Sequence, residues 1–343
     1  MKTFVYKDLK FDGCSRWLMT ILLICISLAG YAQAPVITSF SPASAKPGDA
    51  VTLTGTDFNT TTTNNIVFFG ATRGTVTAAT ATSVTVTVPT GATYAPITLL
   101  NSGTALACAS RSPFHPVYTP AKAGISSNDI SSKVDFSTAA QPQQVNIGDM
   151  DGDGKPDLVF VNLNSESVTV LRNTSSSGSM SFSASSFTTG VGPYDVAIGD
   201  LDGDGKLDLA VVNSSSQSYT VSMFRNTSSS GLVSFAAPIN YGTGTVPTHL
   251  AIGDLDVDGK PDVAVLNIGS GTISVFRNQS TIGSFSMGAG PTLSVGTGAW
   301  GIEIGDLDND GKPELVTVNN NSNLFSVLRN TSSKPYREFR RKG

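Results

Sequence analysis

Two hydrophobic patterns divide the chain. From Pro35 to about Val117, apolar and polar residues alternate in short runs, as in Val51-Thr-Leu53-Thr-Gly55, Ser83-Val-Thr-Val-Thr-Val88 and Ala95-Pro-Ile97-Thr-Leu-Leu100. Period-two alternation interrupted by Pro, Gly or Asp predicts short strands folded into a sandwich. From Ser132 onward one unit is written four times. Each copy predicts a first strand (Val134-Asp-Phe136, matched by Met180-Ser-Phe182, Val233-Ser-Phe235 and Phe285-Ser-Met287) and a second ending in Ile-Gly-Asp. A third ends in Asn162, Asn213, Asn267 or Asn319, and a fourth ends in Arg-Asn at Asn173, Asn226, Asn278 or Asn330. Four strands per ~50 residues is the pattern of a β-propeller blade, which must stack on neighbours to bury its faces. The second strand carries the smallest apolar residues (Val196-Ala-Ile198, Leu250-Ala-Ile252), so it is placed nearest the axis.

Between second and third strands each unit inserts the same nine-residue acidic loop. The copies take their carboxylates from Asp149, Asp151, Asp153 and Asp157; Asp200, Asp202, Asp204 and Asp208; Asp254, Asp256, Asp258 and Asp262; and Asp306, Asp308, Asp310 and Glu314. Acids thus stand at loop positions 1, 3, 5 and 9, with glycine at 6, and these loops hold 16 of the 26 acidic residues. Carboxylates packed this closely repel one another and need a counter-charge. A hard divalent cation fits, because Ca²⁺ takes about 6–8 oxygen ligands in a flexible shell. The side chains at 1, 3, 5 and 9 and the backbone carbonyl at 7 (Lys155, Lys206, Lys260, Lys312) would supply most of it. Glycine permits the positive φ of the sharp turn. A plain Asp/Gly turn does not account for four copies with acids and glycine at the same five key positions. An EF-hand would want Glu at position 12 and flanking helices, whereas Phe160, Val211, Val265 and Thr317 stand there between strands. A nonapeptide β-roll is excluded because the loops recur after 51, 54 and 52 residues.

Composition narrows the picture further. Only 14% of the 343 residues are charged and the net charge is −4, so no basic face for nucleic acid is expected. Residues 1–32 read as a signal peptide: Lys2, Lys7, Lys10 and Arg16 precede an apolar run from Trp17 to Ala29 and small residues near Ala32. No later stretch is apolar enough to span a bilayer, so the expected location is secreted or at the cell surface. Cys108 alone remains after the leader and is expected to be a small buried residue.

Residues 35–118 resemble the IPT/TIG immunoglobulin-like domain, on Ile37-Thr-Ser-Phe-Ser-Pro42, Leu53-Thr-Gly55-Thr-Asp-Phe58, Phe69-Gly70 and Val86-Thr-Val88-Pro89. Residues 132–333 resemble the FG-GAP/VCBS repeats, the blade that also builds the integrin α-chain propeller. The resemblance implies calcium ligation by the four loops at the positions named above, about four Ca²⁺ per chain; Glu314, one methylene longer, is a departure. It also implies about seven blades where four are written. The expected fold is all-β, an immunoglobulin-like sandwich followed by a four-repeat propeller-type array, with a linker at 119–131 and a basic tail at 334–343. The tail has no repeat character, which leaves a truncated or shifted reading frame and a natural end both open. An unclosed array would expose the apolar face of its last blade and should aggregate or pair with another copy.

Little looks catalytic. Neither a Gly-x-Ser-x-Gly elbow nor a His-Glu-x-x-His motif occurs. His115 is expected at the surface, His249 without a catalytic role, and Tyr194 and Trp300 in packing rather than sugar stacking. The Asn-x-Ser/Thr triplets at Asn173, Asn226, Asn278 and Asn330 recur because the turn after the fourth strand recurs. Two functions are compatible with these features. One is an exported calcium-binding adhesion or ligand-binding scaffold, not an enzyme, whose partner is an extracellular protein or glycan. The other is the non-catalytic binding portion of a larger secreted polysaccharide-acting enzyme.

Overall fold

A computed structural model describes residues 33–117, 130–217 and 219–332. The predicted leader, nearly all of the linker and the basic tail lie outside the described residues. Among those described, no helix is long and apolar enough to cross a membrane.

The alternating segment forms β1 (Val36–Ser41), β2 (Ser44–Ala45), β3 (Ala50–Thr56), β4 (Asn65–Phe69), β5 (Thr72–Ala79), β6 (Ser83–Thr87), β7 (Ala95–Asn101) and β8 (Leu106–Pro116). They hydrogen-bond in the order β1-β3-β6-β5-β4-β7-β8-β2. The sheet folds over so that Val51, Leu53, Val84 and Val86 from one half meet Val67, Phe69, Ile97, Leu99 and Phe114 from the other. Inward residues alternate with more solvated ones along β3 and β6, whereas β4 is buried on both faces, its Ile66 and Phe68 packing with Met150 and Leu207 of the repeats. Strand β5, which links the halves, has no clear alternation and was not expected from the sequence. Cys108 packs beside this core, and burial pushes its thiol up to about 12.

The repeats form four antiparallel sheets: β9 (Pro142–Gly148), β10 (Asp157–Asn162), β11 (Ser167–Asn173) and β12 (Phe182–Thr188); β13 (Pro193–Gly199), β14 (Asp208–Asn213), β15 (Thr220–Phe224) and β16 (Ile239–Gly242); β17 (Pro247–Gly253), β18 (Asp262–Asn267), β19 (Thr272–Asn278) and β20 (Met287–Ser294); and the three-stranded β21 (Ala299–Gly305), β22 (Glu314–Asn319) and β23 (Leu324–Leu328). The innermost strands β9, β13, β17 and β21 contact one another in sequence, as expected of strands near an axis.

The phase of the repeat needs correcting. Phe182, expected to open the second unit, lies in β12 and pairs with Asn173 of β11, closing the first sheet from outside. Val134–Phe136, the supposed first strand of the array, is not in a strand. Each blade therefore starts at the strand before the acidic loop, and the first three take their outer strand from the segment after the Arg-Asn turn. Outer strands are half-exposed and polar, so their pairing is set by position along the blade rather than by a pattern of their own.

Consecutive blades share apolar seams. Val159, Val161, Val168 and Val170 of the first pack on Val196, Leu209 and Val211 of the second. Val212, Val221 and Met223 do the same against Leu250, Val263 and Val265, and Leu266, Ile273 and Val275 against Ile302 and Leu315. At about 25 cal/mol per Å² of apolar surface, these seams are the main force aligning one blade on the next.

Candidate metal centres

Each acidic loop is the hairpin between the innermost strand and the next, as the sequence predicts. The glycine at position 6 takes the left-handed conformation in all four, with φ of 87°, 85°, 90° and 85° at Gly154, Gly205, Gly259 and Gly311. Position 4 is left-handed as well: Gly152 and Gly203 occupy it at 73° and 76°, but Val257 and Asn309 must adopt 59° and 61°. A β-branched residue is strained there. Val257→Gly should therefore raise stability by about 1 kcal/mol, or roughly 2–4 °C in melting temperature, whereas Gly203→Val should lower it.

The turn brings positions 1, 3 and 9 together. Carboxylate oxygens of Asp149, Asp151 and Asp157 lie within 4.8 Å of one another, as do those of Asp200, Asp202 and Asp208, of Asp254, Asp256 and Asp262, and of Asp306, Asp308 and Glu314. Backbone N–H groups hold each member. In the second loop Asp200 accepts from Gly203 and Gly205 (both 2.8 Å) and Asp202 from Asp204 (3.0 Å). Asp208, fully buried, accepts from Leu201 and Asn226 (both 2.8 Å), tying the loop to the end of β15. Glu314 makes the same two contacts at 2.9 and 3.3 Å, so its extra methylene is accommodated.

The position-5 acids stand apart from these triads and cap their own turn. Asp153, Asp204, Asp258 and Asp310 accept the N–H of Lys155, Lys206, Lys260 and Lys312 at 2.9–3.0 Å. Three of the lysine side chains reach on to backbone carbonyls of the Asn turn, at Ser175, Ser228 and Ser280.

Crowding and burial leave the acids electrically unsettled. Burial, with neighbouring carboxylates adding to it, raises Asp149, Asp157 and Asp254 to about 6 and Asp200 and Asp262 to about 7; Asp208 rises well above the ordinary value. The backbone donors oppose this without cancelling it. An all-oxygen donor set, acid triads and uncompensated negative charge suit a hard cation.

Part of the counter-charge comes from arginines whose role was not expected. Arg172 lies 3.7 and 3.8 Å from Asp151 and Asp153. Arg277 bonds Asp256 and lies 3.2 Å from Asp258, and Arg329 lies 2.7 and 3.6 Å from Asp308 and Asp310. Their signal was present as the Arg-Asn pair that ends every fourth predicted strand. The asparagine of that pair reaches the preceding loop: Asn226 donates to the carbonyl of Met150 (2.8 Å), Asn278 to that of Leu201 (2.9 Å) and Asn330 to that of Leu255 (2.7 Å). Gly231 and Gly283, in the following turns, donate to Asp151 and Asp202 at 2.8 and 2.9 Å. Each of these loops is thus fastened to the next blade.

The loop end of the array also meets the sandwich. Asp149 donates its N–H to Ala71 (3.1 Å) and Ala107 donates to the carbonyl of Gly259 (2.8 Å), while Ile66 closes on Gly205. Exposure of the triads rises from the first loop, all buried, to the fourth, where only Glu314 is buried.

At the opposite end of the innermost strands, Tyr194, His249 and the half-exposed Trp300 form a row with ring centres 6.0 Å apart at each step. Burial lowers the His249 pKa, and its Nδ1 lies 3.1 Å from the Thr248 hydroxyl. Trp300 is less packed than expected. His115 is exposed, as expected, edge-on to Tyr94 at 4.6 Å.

Comparison with known proteins places these features. The profile of the FG-GAP-like repeat matches residues 149–211, 202–265 and 254–317, and that of the IPT/TIG domain matches residues 35–115. No curated protein matches. Similar solved structures include an auxiliary nutrient binding protein from Bacteroides ovatus, at 14% identity over 88% of this chain and 72% of that one, with a TM-score of 0.32. A protein from Lactobacillus plantarum aligns at 14% identity over 86% of both chains (TM-score 0.37). A protein of unknown function from Bacteroides thetaiotaomicron aligns at 13% identity over 86% and 70% (TM-score 0.35). Likenesses of this size carry no functional argument.

Proposed function

The chain is an FG-GAP-like repeat protein with an amino-terminal IPT/TIG domain, and on that premise we propose that it is an exported, calcium-stabilised scaffold that binds an extracellular protein or glycan. The observation that carries this reading is the acid triad assembled four times over, at the same place in every blade. Calcium would be held by the side chains at positions 1, 3 and 9, with position 5 and the carbonyl at 7 close by in sequence. When bound it supplies charge neutralisation, and the reading gives it a structural task. The chain's own residues do the rest: backbone N–H groups orient each acid, and the Asn clamps pass the loop's order to the next blade. Affinity in the extracellular range of roughly 10⁻⁴–10⁻³ M is sufficient.

Catalytic chemistry is not part of this reading, since the loop acids are engaged by backbone donors and His249 is flanked by Thr248, Tyr194 and Trp300. The sandwich occupies the loop end, so the aromatic row at the other end is the face assigned to the ligand. Binding on a glycan panel that Trp300→Ala leaves unchanged would overturn that assignment. The scaffold reading itself is tested by thermal unfolding in calcium, magnesium and EDTA with metal analysis alongside. It expects a rise in melting temperature specific to calcium and close to four ions per chain; equal melting in all three would sink it.

A further inference from the structure

The turn that follows the Arg-Asn pair touches two acidic loops at once, its own and that of the blade before. The backbone N–H of Asn226 donates to Asp208, at position 9 of the second loop (2.8 Å). Further along the same turn, the N–H of Gly231 donates to Asp151, at position 3 of the first loop (2.8 Å). The side-chain amide of Asn226 spans the same gap, donating to the carbonyls of Met150 in the first loop and Leu207 in the second (2.8 and 2.7 Å). Its oxygen accepts the N–H of Ser228 (2.8 Å), which holds the amide in this orientation. Asn226 is fully buried, and its whole amide group is engaged in this bridge.

The next turn repeats every contact. Asn278 donates its backbone N–H to Asp262 (2.8 Å) and joins the carbonyls of Leu201 and Pro261 through its amide (2.9 and 2.8 Å). Gly283 donates to Asp202 (2.9 Å). Asn330 likewise donates to Glu314 (3.3 Å) and joins the carbonyls of Leu255 and Pro313 (2.7 and 2.9 Å). Two of these turns therefore hold an acid of the metal triad from each of two neighbouring loops.

We propose that Asn226, Asn278 and Asn330 are positioning residues that couple the loops, so that calcium bound at one loop raises the calcium affinity of the next. This coupling presupposes the calcium sites proposed above. Without metal, the carboxylates of a loop repel one another and loosen it, and a dication gathers them. The acceptors of an asparagine turn are in register only while both of its loops are gathered. Ordering the first loop fixes the turn, and the turn then presents Asp208 to the second loop already oriented. The conformational cost of ordering falls once on two sites, which tightens the second binding event. Charge alone acts in the opposite sense, because two bound dications repel.

Calcium titration followed at the amide signals of Gly154, Gly205 and Gly259 tests this, since each N–H donates to the position-1 acid of its own loop. Asp200→Asn, which disables the second loop, should weaken calcium at the first loop about fivefold or more, the lower end of couplings between sites. Asp149→Asn should weaken calcium at the second loop by the same factor, because such coupling is reciprocal. Asn226→Ala should bring both factors close to one, while the coupling of the second loop with the third, carried by Asn278, stays unchanged. An asparagine that only stabilised the fold would lower the melting temperature without altering these ratios. A further measurement leaves Asn226 untouched, in case its replacement prevents folding. Asp200→Asn should lower the hydrogen-exchange protection of the Gly231 N–H, although that group bonds the first loop. Equal or tighter calcium binding beside a disabled loop overturns the proposal, as does weakening in one direction only. Coupling that survives Asn226→Ala, or unchanged protection at Gly231, overturns it too. Independent binding at every loop sinks this coupling alone, whereas a chain that takes up no calcium sinks the scaffold reading with it.

Discussion

Stripped of metal, the protein is expected to melt at a higher temperature at pH 5 than at pH 7.5, and calcium should abolish or invert that order. The buried loop acids Asp149, Asp157 and Asp254 sit at about 6 in the folded chain, and Asp200 and Asp262 at about 7, against an ordinary value of 3.8. Below the ordinary value both folded and unfolded chains hold these protons, and the raised groups cost nothing. Between that value and 6–7 the folded chain binds more protons than the unfolded one, so stability falls as pH rises through the interval. Groups in one loop titrate together and are counted as one. A single proton per loop over two pH units is worth about 2.7 kcal/mol, several degrees in melting temperature. Bound calcium removes the cost by supplying the charge that the proton otherwise supplies, and its apparent affinity should rise over the same interval. Melting curves across pH 5–7.5 in EDTA and in calcium check both halves; a flat profile in EDTA would show that the acids are not crowded in the folded chain.

Replacing Asp208 should cost far more than replacing its neighbour Asp204, even without metal. Both oxygens of Asp208 accept buried backbone N–H groups, from Leu201 and Asn226, and Asn226 in turn holds the carbonyl of Met150 in the preceding blade. Asp208→Ala leaves two buried donors unpaired, at about 1–3 kcal/mol each, and loosens a seam. A loss of about 3–5 kcal/mol, on the order of 10 °C, is expected. Asp204 lends one oxygen to the turn N–H of Lys206, so Asp204→Ala should cost about 1 kcal/mol in EDTA. Thermal unfolding of the two variants in chelator separates the roles, and equal losses would refute the distinction between a loop staple and a turn cap. In calcium the gap should narrow if position 5 also ligates.

The parts of this molecule that sequence could reveal are those written in short range and repeated. The loop acids, the left-handed glycine at position 6 and the small apolar innermost strand each carry a local physical requirement, and each recurs at a nearly fixed interval. Blade phase was not legible, because β12 is a half-exposed strand and nothing in Phe182–Thr188 says whether it pairs forward or backward. The same holds for β5, whose run Thr-Arg-Gly-Thr-Val-Thr-Ala-Ala lacks an apolar face. Contacts of the sandwich with the loops combine main-chain bonds at Ala71 and Ala107 with apolar side chains such as Ile66 and Leu106, whose partners lie far away in sequence. The arginines were visible but carried no sign of their partners until Arg277 and Asp256, 21 residues apart, were brought together by the fold.

One consequence of the asparagine clamps concerns sugar attachment. Asn226 and Asn278 belong to triplets that an oligosaccharide-transferring enzyme recognises, yet their amide nitrogens are buried and each donates to two carbonyls. A glycan on either nitrogen would remove a donor and wedge the blades apart. In a host that decorates nascent chains, modification at these asparagines would compete with folding itself, and the correctly assembled protein would be the fraction that escaped it.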